Sequence, residues 1–528
     1  MMAQLRKWLI LSHRYLGIGI GLLFVVWFAS GIGMIYARDM PSLTEELRLE
    51  RLEPLDVESV RLTPMEAATQ AELNGALSDG SSDALSRVRL VMVMDRPAYR
   101  LDHGSRTTIF ADTGEPMPEV GSDQAREVAR RFMDVSLESV EYEEFLTRSD
   151  QWTLSLRGQL PFHKLSIDDE AGTRLYVSPE SGAVTLLTTR ASRALAWASA
   201  IPHWLYFTPL RVRQNLWTQT ILWTAGLGCV LAILGIALGI VQFRFLRPFR
   251  LARIGSYIPY VGWMRWHYIT GVVFGVLTLT WVFSGLLSME PFGWASGPGL
   301  ETGELRRALT GGPLDAPSFP RIDVDAWDGL LPGRVIKEIT YRRILGEPYF
   351  VLRSTPEPAA ATRPAEPARE EGAENPSGVS RVLVAGETLE LRKEPFGVDA
   401  LMSRVRETYS DIPILEVRLL DEYDSYHYSR DQQAPLPILR VKFDDPNKTW
   451  LYIDPASGQL SGSLHRLDRV ERWIYHGFHS LDFGFWYYSR PIWDIGVIVL
   501  SLGGLASSGI GLFLGIRRLW SGRRLRSA

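Results

Sequence analysis

Residues 16–36 are LGIGIGLLFVVWFASGIGMIY, a run without a single Lys, Arg, Asp or Glu. A helix needs about 20 apolar residues to cross about 30 Å of hydrocarbon, so this run predicts a membrane helix. Three more windows of the same character lie at 219–241, 268–289 and 495–516. The 528-residue chain is therefore predicted to be a membrane protein with four transmembrane α-helices in contact with the lipid bilayer. The first window is longer than the core of a cleaved signal peptide, and we expect it to be an uncleaved anchor.

The arginines predict the orientation of these helices. The short segments before the first window, between the second and third, and after the fourth are basic, whereas the long segments 37–215 and 290–490 hold nearly all the acidic residues. By the positive-inside rule, both termini are cytoplasmic and both long segments lie outside, as in a multi-pass protein of the bacterial inner membrane with large periplasmic domains. Since these basic residues set the topology, they indicate no nucleic-acid partner. They are Arg6, Lys7, Arg14, Arg244, Arg247, Arg250, Arg253, Arg265, Arg517, Arg518, Arg523, Arg524 and Arg526.

The chain contains an internal repeat. Residues around the first helix recur 254 positions later around the third, and residues around the second recur 276 positions later around the fourth. Because order and helix direction are preserved, we predict two parallel repeats related by a pseudo-two-fold axis along the membrane normal. The matches are His13/His267, Gly17/Gly271, Trp27/Trp281, Ser30/Ser284, Gly31/Gly285, Trp197/Trp473, His203/His479, Leu205/Leu481, Phe207/Phe483, Trp217/Trp493, Gly235/Gly511 and Gly239/Gly515. The small residues four apart, Gly235/Gly239 and Gly503/Ser507/Gly511/Gly515, are interpreted as helix-packing positions.

The long outer segments are predicted to be α+β domains. Thr63-Pro-Met-Glu66 is typical of a helix start, with an N-cap, a proline and a capping-box glutamate. Alternating stretches predict strands at 87–94, 97–103 and 106–111, a helix is expected near 122–134, and residues 355–379 are expected to be an unstructured insertion. The predicted organisation is 1–36 N-terminus and first helix; 37–190 first domain; 191–216 interfacial segment; 217–243 second helix; 244–265 basic loop; 266–289 third helix; 290–470 second domain; 471–490 interfacial segment; 491–516 fourth helix; 517–528 basic tail.

Several motifs of the chain resemble the PepSY domain and the PepSY-associated transmembrane helix. The motifs are Arg174-Leu-Tyr-Val-Ser-Pro-Glu-Ser-Gly182, Trp450-Leu-Tyr-Ile-Asp-Pro-Ala-Ser-Gly458, His13-Arg-Tyr-Leu-Gly17, Trp27-Phe-Ala-Ser-Gly31, Trp266-His-Tyr268, Thr280-Trp-Val-Phe-Ser-Gly285, Ile201-Pro-His-Trp-Leu-Tyr-Phe-Thr-Pro209 and His476-Gly-Phe-His-Ser-Leu-Asp-Phe483. The resemblance implies two PepSY-like domains in an iron-regulated inner-membrane protein, similar to haem-bearing reductases of ferric siderophores.

The repeat pairs the histidines. His13 and His267 start the first and third helices, and His203 and His479 precede the second and fourth. A two-fold axis brings equivalent residues face to face, which is what a haem with two axial imidazoles requires. Cys229 is the only cysteine, so no CxxCH attachment exists and the haems would be b-type, two in number. The alternative is that interfacial histidines serve as anchors or hydrogen-bonding groups.

His476 has no histidine counterpart, because Ala200 stands at the matching position. It lies one helical turn before His479, so the two share a face. It is interpreted as a hydrogen-bonding group at the interface, with ligation in place of His479 or proton relay as alternatives. No metal is assigned to His103, His163, His427 or His465. The run 421–428 offers carboxylates and phenols suited to ferric iron, but is interpreted as an ordinary sheet strand.

The leading hypothesis for function is transmembrane electron transfer. Two haems would carry electrons to a ferric complex, such as a ferric siderophore, outside the membrane, making the chain a haem-dependent reductase. No Rossmann fingerprint occurs, so the donor would be quinol or a separate reductase. The alternative is a non-enzymatic assembly, regulatory or binding protein of the cell envelope. A transporter is less favoured, because the helices carry no charged residues for ion coupling.

Overall fold

The computed structural model describes residues 2–37, 39–75, 77, 85, 87–103, 105–243, 249–251, 254–295, 297, 299–314, 319, 327, 330–356, 380–429 and 434–524. Most of the predicted insertion 355–379, parts of the basic loop and the last four residues lie outside these ranges. The statements below concern the described residues.

Four helices are long and apolar enough to cross a membrane. They are α1 (Met2–Ala37), α8 (Gln214–Gln242), α9 (Gly262–Leu287) and α14 (Ile492–Arg524). Each covers one of the apolar windows, except that the window 268–289 extends two residues past the end of α9, so the prediction of four such helices is confirmed. Large apolar side chains remain exposed along them, among them Trp223, Val273 and Val276, as expected for surfaces that face lipid rather than water.

The four helices pack as a ring in which α1 and α9 each touch both α8 and α14. Small residues bring the backbones close together. A Cβ atom at Gly228 of α8 would lie 3.1 Å from the Phe24 ring of α1, and one at Gly239 would lie 3.0 Å from Val272 of α9. Gly503 and Gly504 of α14 leave no room for a Cβ beside Phe274 and Phe28. The packing interpretation is therefore confirmed for Gly239 and Gly503, and Gly228 and Gly504 are further positions of close helix contact.

Seventeen strands among the described residues form three large sheets and one short hairpin. The central sheet has the order β13-β12-β11-β10-β1-β2-β3, and two four-stranded sheets, β4–β7 and β14–β17, flank it. The strands are β1 Val88–Val93, β2 Arg96–His103, β3 Ser105–Phe110, β4 Val140–Leu146, β5 Phe162–Ile167, β6 Arg174–Val177, β7 Val184–Thr188, β8 Phe249–Leu251, β9 Ile254–Ser256, β10 Arg334–Ile344, β11 Glu347–Pro356, β12 Ser380–Ala385, β13 Leu391–Arg392, β14 Ile414–Leu420, β15 Ile438–Phe443, β16 Trp450–Asp454 and β17 Gln459–Leu464.

The central sheet joins the two long segments of the chain, a feature that the sequence did not predict. Its seam is the antiparallel pairing of β1 with β10, in which Arg89 lies opposite Thr340. Both residues stand four positions before the end of their strand, and both strands continue through a two-residue turn into the next one. The two hairpins therefore meet edge to edge in equivalent positions.

The two faces of the central sheet are covered differently. One face packs against α3 (Pro64–Leu73) through residues such as Met65 and Ala67. The other face packs on the flanking sheets, each of which carries one amphipathic helix. The first lobe comprises α4 (Ser122–Met133) with β4–β7, and the second comprises α11 (Val398–Thr408) with β14–β17.

The shorter helices are α2 Glu45–Arg51, α5 Arg190–Ala198, α6 Ala200–Trp204, α7 Thr208–Arg211, α10 Thr302–Thr310, α12 Arg466–Arg472 and α13 Gly484–Tyr487.

The local predictions for the first outer segment agree with the structure. The strands expected at 87–94, 97–103 and 106–111 correspond to β1, β2 and β3 within two residues. The Thr63 hydroxyl accepts from the Glu66 backbone N–H and the Glu66 carboxylate accepts from the Thr63 N–H, so the capping box is present. The expected strand at 421–428 is wrong. These residues form a loop after β14, because Asp424 accepts the N–H groups of Tyr426 and His427 and binds Arg440.

Replacing Ile339 by Ala tests the seam of the central sheet. Ile339 is fully buried opposite Leu90, and removing a buried Ile side chain costs about 2–5 kcal/mol. We expect a lower midpoint of thermal unfolding in detergent, followed by tryptophan fluorescence. Leu415→Ala is the control, because Leu415 is 60% exposed on the edge strand β14. Equal midpoints for the two variants would contradict a packed seam.

Candidate functional site

His13 and His267 face each other between α1 and α9. Their ring centroids are 6.2 Å apart, with an angle of 33° between the ring planes. Nδ1 of His13 lies 3.2 Å from the backbone carbonyl oxygen of Leu231 on α8, and Nδ1 of His267 lies 3.1 Å from that of Ser507 on α14. A carbonyl can only accept, so Nδ1 carries the proton and Nε2 is the nitrogen with a free lone pair.

His203 and His479 form a second pair at the other end of α1 and α9. Their ring centroids are 6.1 Å apart and the ring planes are at 71°. Nδ1 of His203 lies 3.1 Å from the Ser30 hydroxyl, and Nδ1 of His479 lies 3.0 Å from the Ser284 hydroxyl. Nδ1 of His479 also lies 3.0 Å from the Trp281 carbonyl oxygen.

The electrostatics of this second pair favour neutral imidazoles. Burial, reinforced by the neighbouring His479, lowers the pKa of His203 to about 3. Burial likewise lowers the pKa of His479 to about 4, against a hydrogen bond to Trp281 that raises it. Both rings are therefore neutral at physiological pH, which is the form of histidine that binds metal ions.

The ring separations fit one metal ion between each pair. An imidazole nitrogen binds a metal at about 2 Å, and the ring centroid lies roughly 1.1 Å behind that nitrogen. Two imidazoles on opposite sides of one iron therefore have centroids about 6 Å apart, as bis-histidine haem ligation requires. The separations of 6.2 and 6.1 Å match this value. Ordinary aromatic pairs also have centroids about 4.5–7 Å apart, so the separations are compatible with one iron in each pair and also with direct ring contact.

A glycine makes room for each imidazole ring. A Cβ atom at Gly511 would lie 2.8 Å from Cε1 of His267, and one at Gly235 would lie 3.0 Å from Cε1 of His13. The corresponding distances are 3.5 Å from Gly31 to His203 and 3.4 Å from Gly285 to His479. Glycine repeats within helices are usually packing positions, and these four were not assigned to the site from the sequence.

Each of these glycines lies four residues after the residue whose backbone carbonyl accepts the hydrogen bond of a histidine. Gly235 follows Leu231, Gly511 follows Ser507, and Gly285 follows Trp281. Gly31 follows Trp27, the backbone partner of His203, by the same interval. In an α-helix the N–H of residue i+4 already donates to carbonyl i. A side chain there would cover the second lone pair of that carbonyl, and glycine leaves it open to the histidine.

An aromatic cluster separates the two pairs. His13 and Gly31 are 18 residues apart on α1, which is roughly 27 Å along the helix axis. The interval contains Phe24, Trp27 and Phe28, with Trp281 of α9 packed 5.7 Å from the Phe28 ring centroid. The interior of the bundle between the pairs is therefore apolar and rich in aromatic side chains.

His476 stands apart from both pairs. It is exposed, and its Nδ1 lies 3.8 Å from Oδ2 of the buried Asp482. Asp482 also accepts hydrogen bonds from Tyr428 at 2.5 Å and from Arg472 at 3.2 Å. The ring of Tyr475 contacts both histidines: its centroid lies 5.2 Å from that of His476 and 5.1 Å from that of His479, on which it is stacked. The arrangement favours the interfacial role for His476 over ligation.

The other described histidines have structural partners. His163 Nε2 lies 2.6 Å from the Val120 carbonyl oxygen, and His427 Nε2 lies 2.9 Å from that of Pro435. His465 caps α12 by accepting from the Asp468 N–H. The side chain of His103 lies outside the described part of the chain. Within that part, no three His, Cys, Asp or Glu side chains come together as a metal site.

Models of known protein families give no match to this chain, and no curated protein sequence is significantly similar to it.

Gly511→Ala tests the space that glycine leaves for the histidines. The new methyl group would overlap His267, and such overpacking costs about 1–3 kcal/mol. We therefore expect a lower midpoint of thermal unfolding in detergent. Gly226→Ala is the matched control in α8, because a Cβ atom there meets nothing within 4 Å. A Gly511→Ala midpoint equal to or above that of Gly226→Ala would show that the ring is not held against α14.

Proposed function

We propose that the chain arose by duplication of a two-helix unit with its outer domain. The support is a matching pattern of contacts. His13 bonds to Leu231 and packs on Gly235, and the positions 254 and 276 residues later, His267 with Ser507 and Gly511, repeat this arrangement. The Ser30 and Ser284 contacts to His203 and His479 repeat in the same way. As part of this proposal, the two outer domains are PepSY-like.

We propose further that each histidine pair binds one b-type haem. The observation that carries this proposal is the separation of about 6 Å between the imidazole rings in both pairs. His13 and His267 would hold one haem, and His203 and His479 would hold the other, each through Nε2. Haem iron, when bound, supplies one-electron redox chemistry. The protein holds each ring through Nδ1 and excludes water with apolar side chains, which tunes the potential of the site.

The proposed function is electron transfer across the bacterial inner membrane. The arginine distribution supports cytoplasmic termini. In this orientation the His13–His267 pair would lie toward the cytoplasm and the His203–His479 pair toward the periplasm. The aromatic cluster around Trp27, Phe28 and Trp281 fills the path between them. Quinol or a separate reductase would supply electrons at the inner pair. A ferric complex, such as a ferric siderophore, would be reduced beside the outer pair.

One observation favours the alternative of a non-enzymatic binding protein. The strand β14 lies at the edge of its sheet and exposes Leu415, Val417 and Leu419 on one side. An apolar edge strand can accept an extended peptide as an additional strand. This function predicts colourless protein and tolerance of substitutions at all four paired histidines.

Optical spectroscopy of the detergent-solubilised protein separates the two functions. We expect a sharp α-band of a low-spin b-type haem after dithionite reduction, and loss of this band when ferric citrate is added. The double variants His13→Ala/His267→Ala and His203→Ala/His479→Ala should each lose half of the band, because each removes both ligands of one iron. Wild-type protein that is colourless after expression with added haem precursor would exclude electron transfer through haem.

His476→Ala is the matched control for these variants. His476 is a histidine of the same interface that points at Asp482 rather than at a second imidazole. We expect this variant to keep the full α-band and its position. A loss of half of the band in His476→Ala would instead make His476 an axial ligand.

A further inference from the structure

The strand β14 forms one edge of the sheet of the second lobe, and its outer side pairs with no other strand among the described residues. The side chains of Leu415, Val417 and Leu419 on this strand are 60%, 40% and 41% exposed. Val417 lies opposite Val441 of β15, which belongs to the core of the lobe. The apolar core therefore continues to the edge of the sheet, where nothing in the described part of the chain covers it.

The corresponding edge of the first lobe is protected by charge. The strands β5 and β15 begin 276 residues apart, at Phe162 and Ile438, so the edge strand β4 is the counterpart of β14. Three acidic residues lie on β4, namely Glu141, Glu143 and Glu144. Like charges on an edge strand oppose its pairing with a copy of itself. The strand β14 instead carries one acidic and one basic residue, so it lacks this protection.

The sequence of β14 is complementary to itself in the antiparallel direction. If Val417 lies opposite its own copy, Leu415 lies opposite Leu419, and Glu416 lies opposite Arg418. Successive side chains of a strand point to opposite faces, so the apolar pairs and the ion pairs fall on different faces of the sheet. Moving the centre of the pairing by one residue would place Glu416 or Arg418 opposite its own copy, which is unfavourable. The charges therefore select a single register.

Both charged residues of β14 can accept such a partner. Arg418 lies opposite Arg440 of β15 and has no ion pair within the described ranges. Glu416 accepts hydrogen bonds from Arg440 at 2.6 and 3.2 Å and from Lys442 at 2.8 Å. A carboxylate offers about four acceptor positions, so one is left for an arginine of a second copy. The contact would also offset the repulsion between Arg418 and Arg440.

We propose that β14 is a homodimer interface, at which β14 of a second copy of this chain pairs with it in the antiparallel direction about a two-fold axis at Val417. Backbone hydrogen bonds and the leucine and valine contacts provide the affinity. The pairs of Glu416 with Arg418 fix the register. Such an interface uses the same surface on both copies and leaves neither edge free. The two four-stranded sheets form one sheet of eight strands. This interface does not depend on bound haem.

Disulfide cross-linking in isolated membranes tests the register. Directly opposite residues of antiparallel strands have Cα atoms about 4.5–5.5 Å apart, which a disulfide can span. In a Cys229→Ala background, we expect Val417→Cys to form a covalent dimer under mild oxidation, seen on a non-reducing gel. Phe145→Cys is the control and should stay monomeric, because Phe145 is exposed on the acidic edge strand β4.

Arg418→Glu tests the ion pairs across the interface. The change places acidic residues opposite each other in the two copies, and we expect it to raise the Kd of the dimer about tenfold or more in sedimentation velocity. Within the chain the new carboxylate faces Arg440, so the midpoint of thermal unfolding should be unchanged or higher. This separates loss of the dimer from misfolding. Arg418→Lys keeps the charge and should dimerise as wild-type protein does.

Four results would overturn this interface. The first is wild-type protein that is monomeric at micromolar concentration, and the second is cross-linking of Phe145→Cys as efficient as that of Val417→Cys. The third is a dimer whose Kd Arg418→Glu leaves unchanged. The fourth is a cross-link that forms in detergent but not in membranes, because both copies must lie in one bilayer.

Two further results separate this interface from other occupants of the edge and from the proposed function. A Val417→Cys adduct with a different protein, in place of a second copy, would overturn the homodimer and assign the edge to an extended peptide of that protein. Colourless protein that dimerises through β14 would refute electron transfer through haem and support the interface.

Discussion

An imidazole ring that lies among apolar helices must make its N–H hydrogen bond within the protein. The four paired histidines all do so in the same way. Each directs Nδ1 to the carbonyl of a neighbouring helix, and a glycine four residues further along leaves that carbonyl open. In lipid, water is not available for this bond. The orientation of each imidazole is thereby fixed, and Nε2 is left for another partner.

The rest of the arrangement depends on this hydrogen bond. With Nδ1 occupied, the rings of each pair are held about 6 Å apart without stacking on each other. The glycines that permit this hydrogen bond also allow the close helix contacts. The same residues therefore determine both the helix packing and the position of the imidazole rings. Above the bundle, the seam between β1 and β10 joins the two halves into a single sheet. The outer parts of both halves are thus held by one continuous hydrogen-bonded layer.

Much of the fold could be predicted from the sequence, because the helices and strands are indicated by patterns within short stretches of residues. Uncharged apolar windows predicted the four helices, and alternation predicted β1, β2 and β3 to within two residues. The pairing of the histidines followed from the repeat, since equal spacing places equivalent side chains opposite each other.

Other features have no local signal. The seam joins Arg89 to Thr340, about 250 residues away in sequence, and only the folded chain brings them together. Gly235 and Gly511 have the same spacing as ordinary packing glycines, so their contact with His13 and His267 could not be distinguished from packing. The expectation of a strand at 421–428 was wrong because the Asp424 side chain accepts hydrogen bonds from backbone N–H groups and turns the chain. The alternation of apolar and polar residues gives no information about such side chain–backbone hydrogen bonds.

The most direct test of the account is the number of haems bound per chain, measured by the pyridine haemochrome absorbance against protein concentration from amino-acid analysis. Two histidine pairs with ring separations that fit one iron each predict two haems in the wild-type protein. Ser30→Ala, which leaves His203 its backbone partner Trp27, should retain both. One haem per chain would contradict the equivalence of the two pairs, and none would contradict the assignment of either pair to haem.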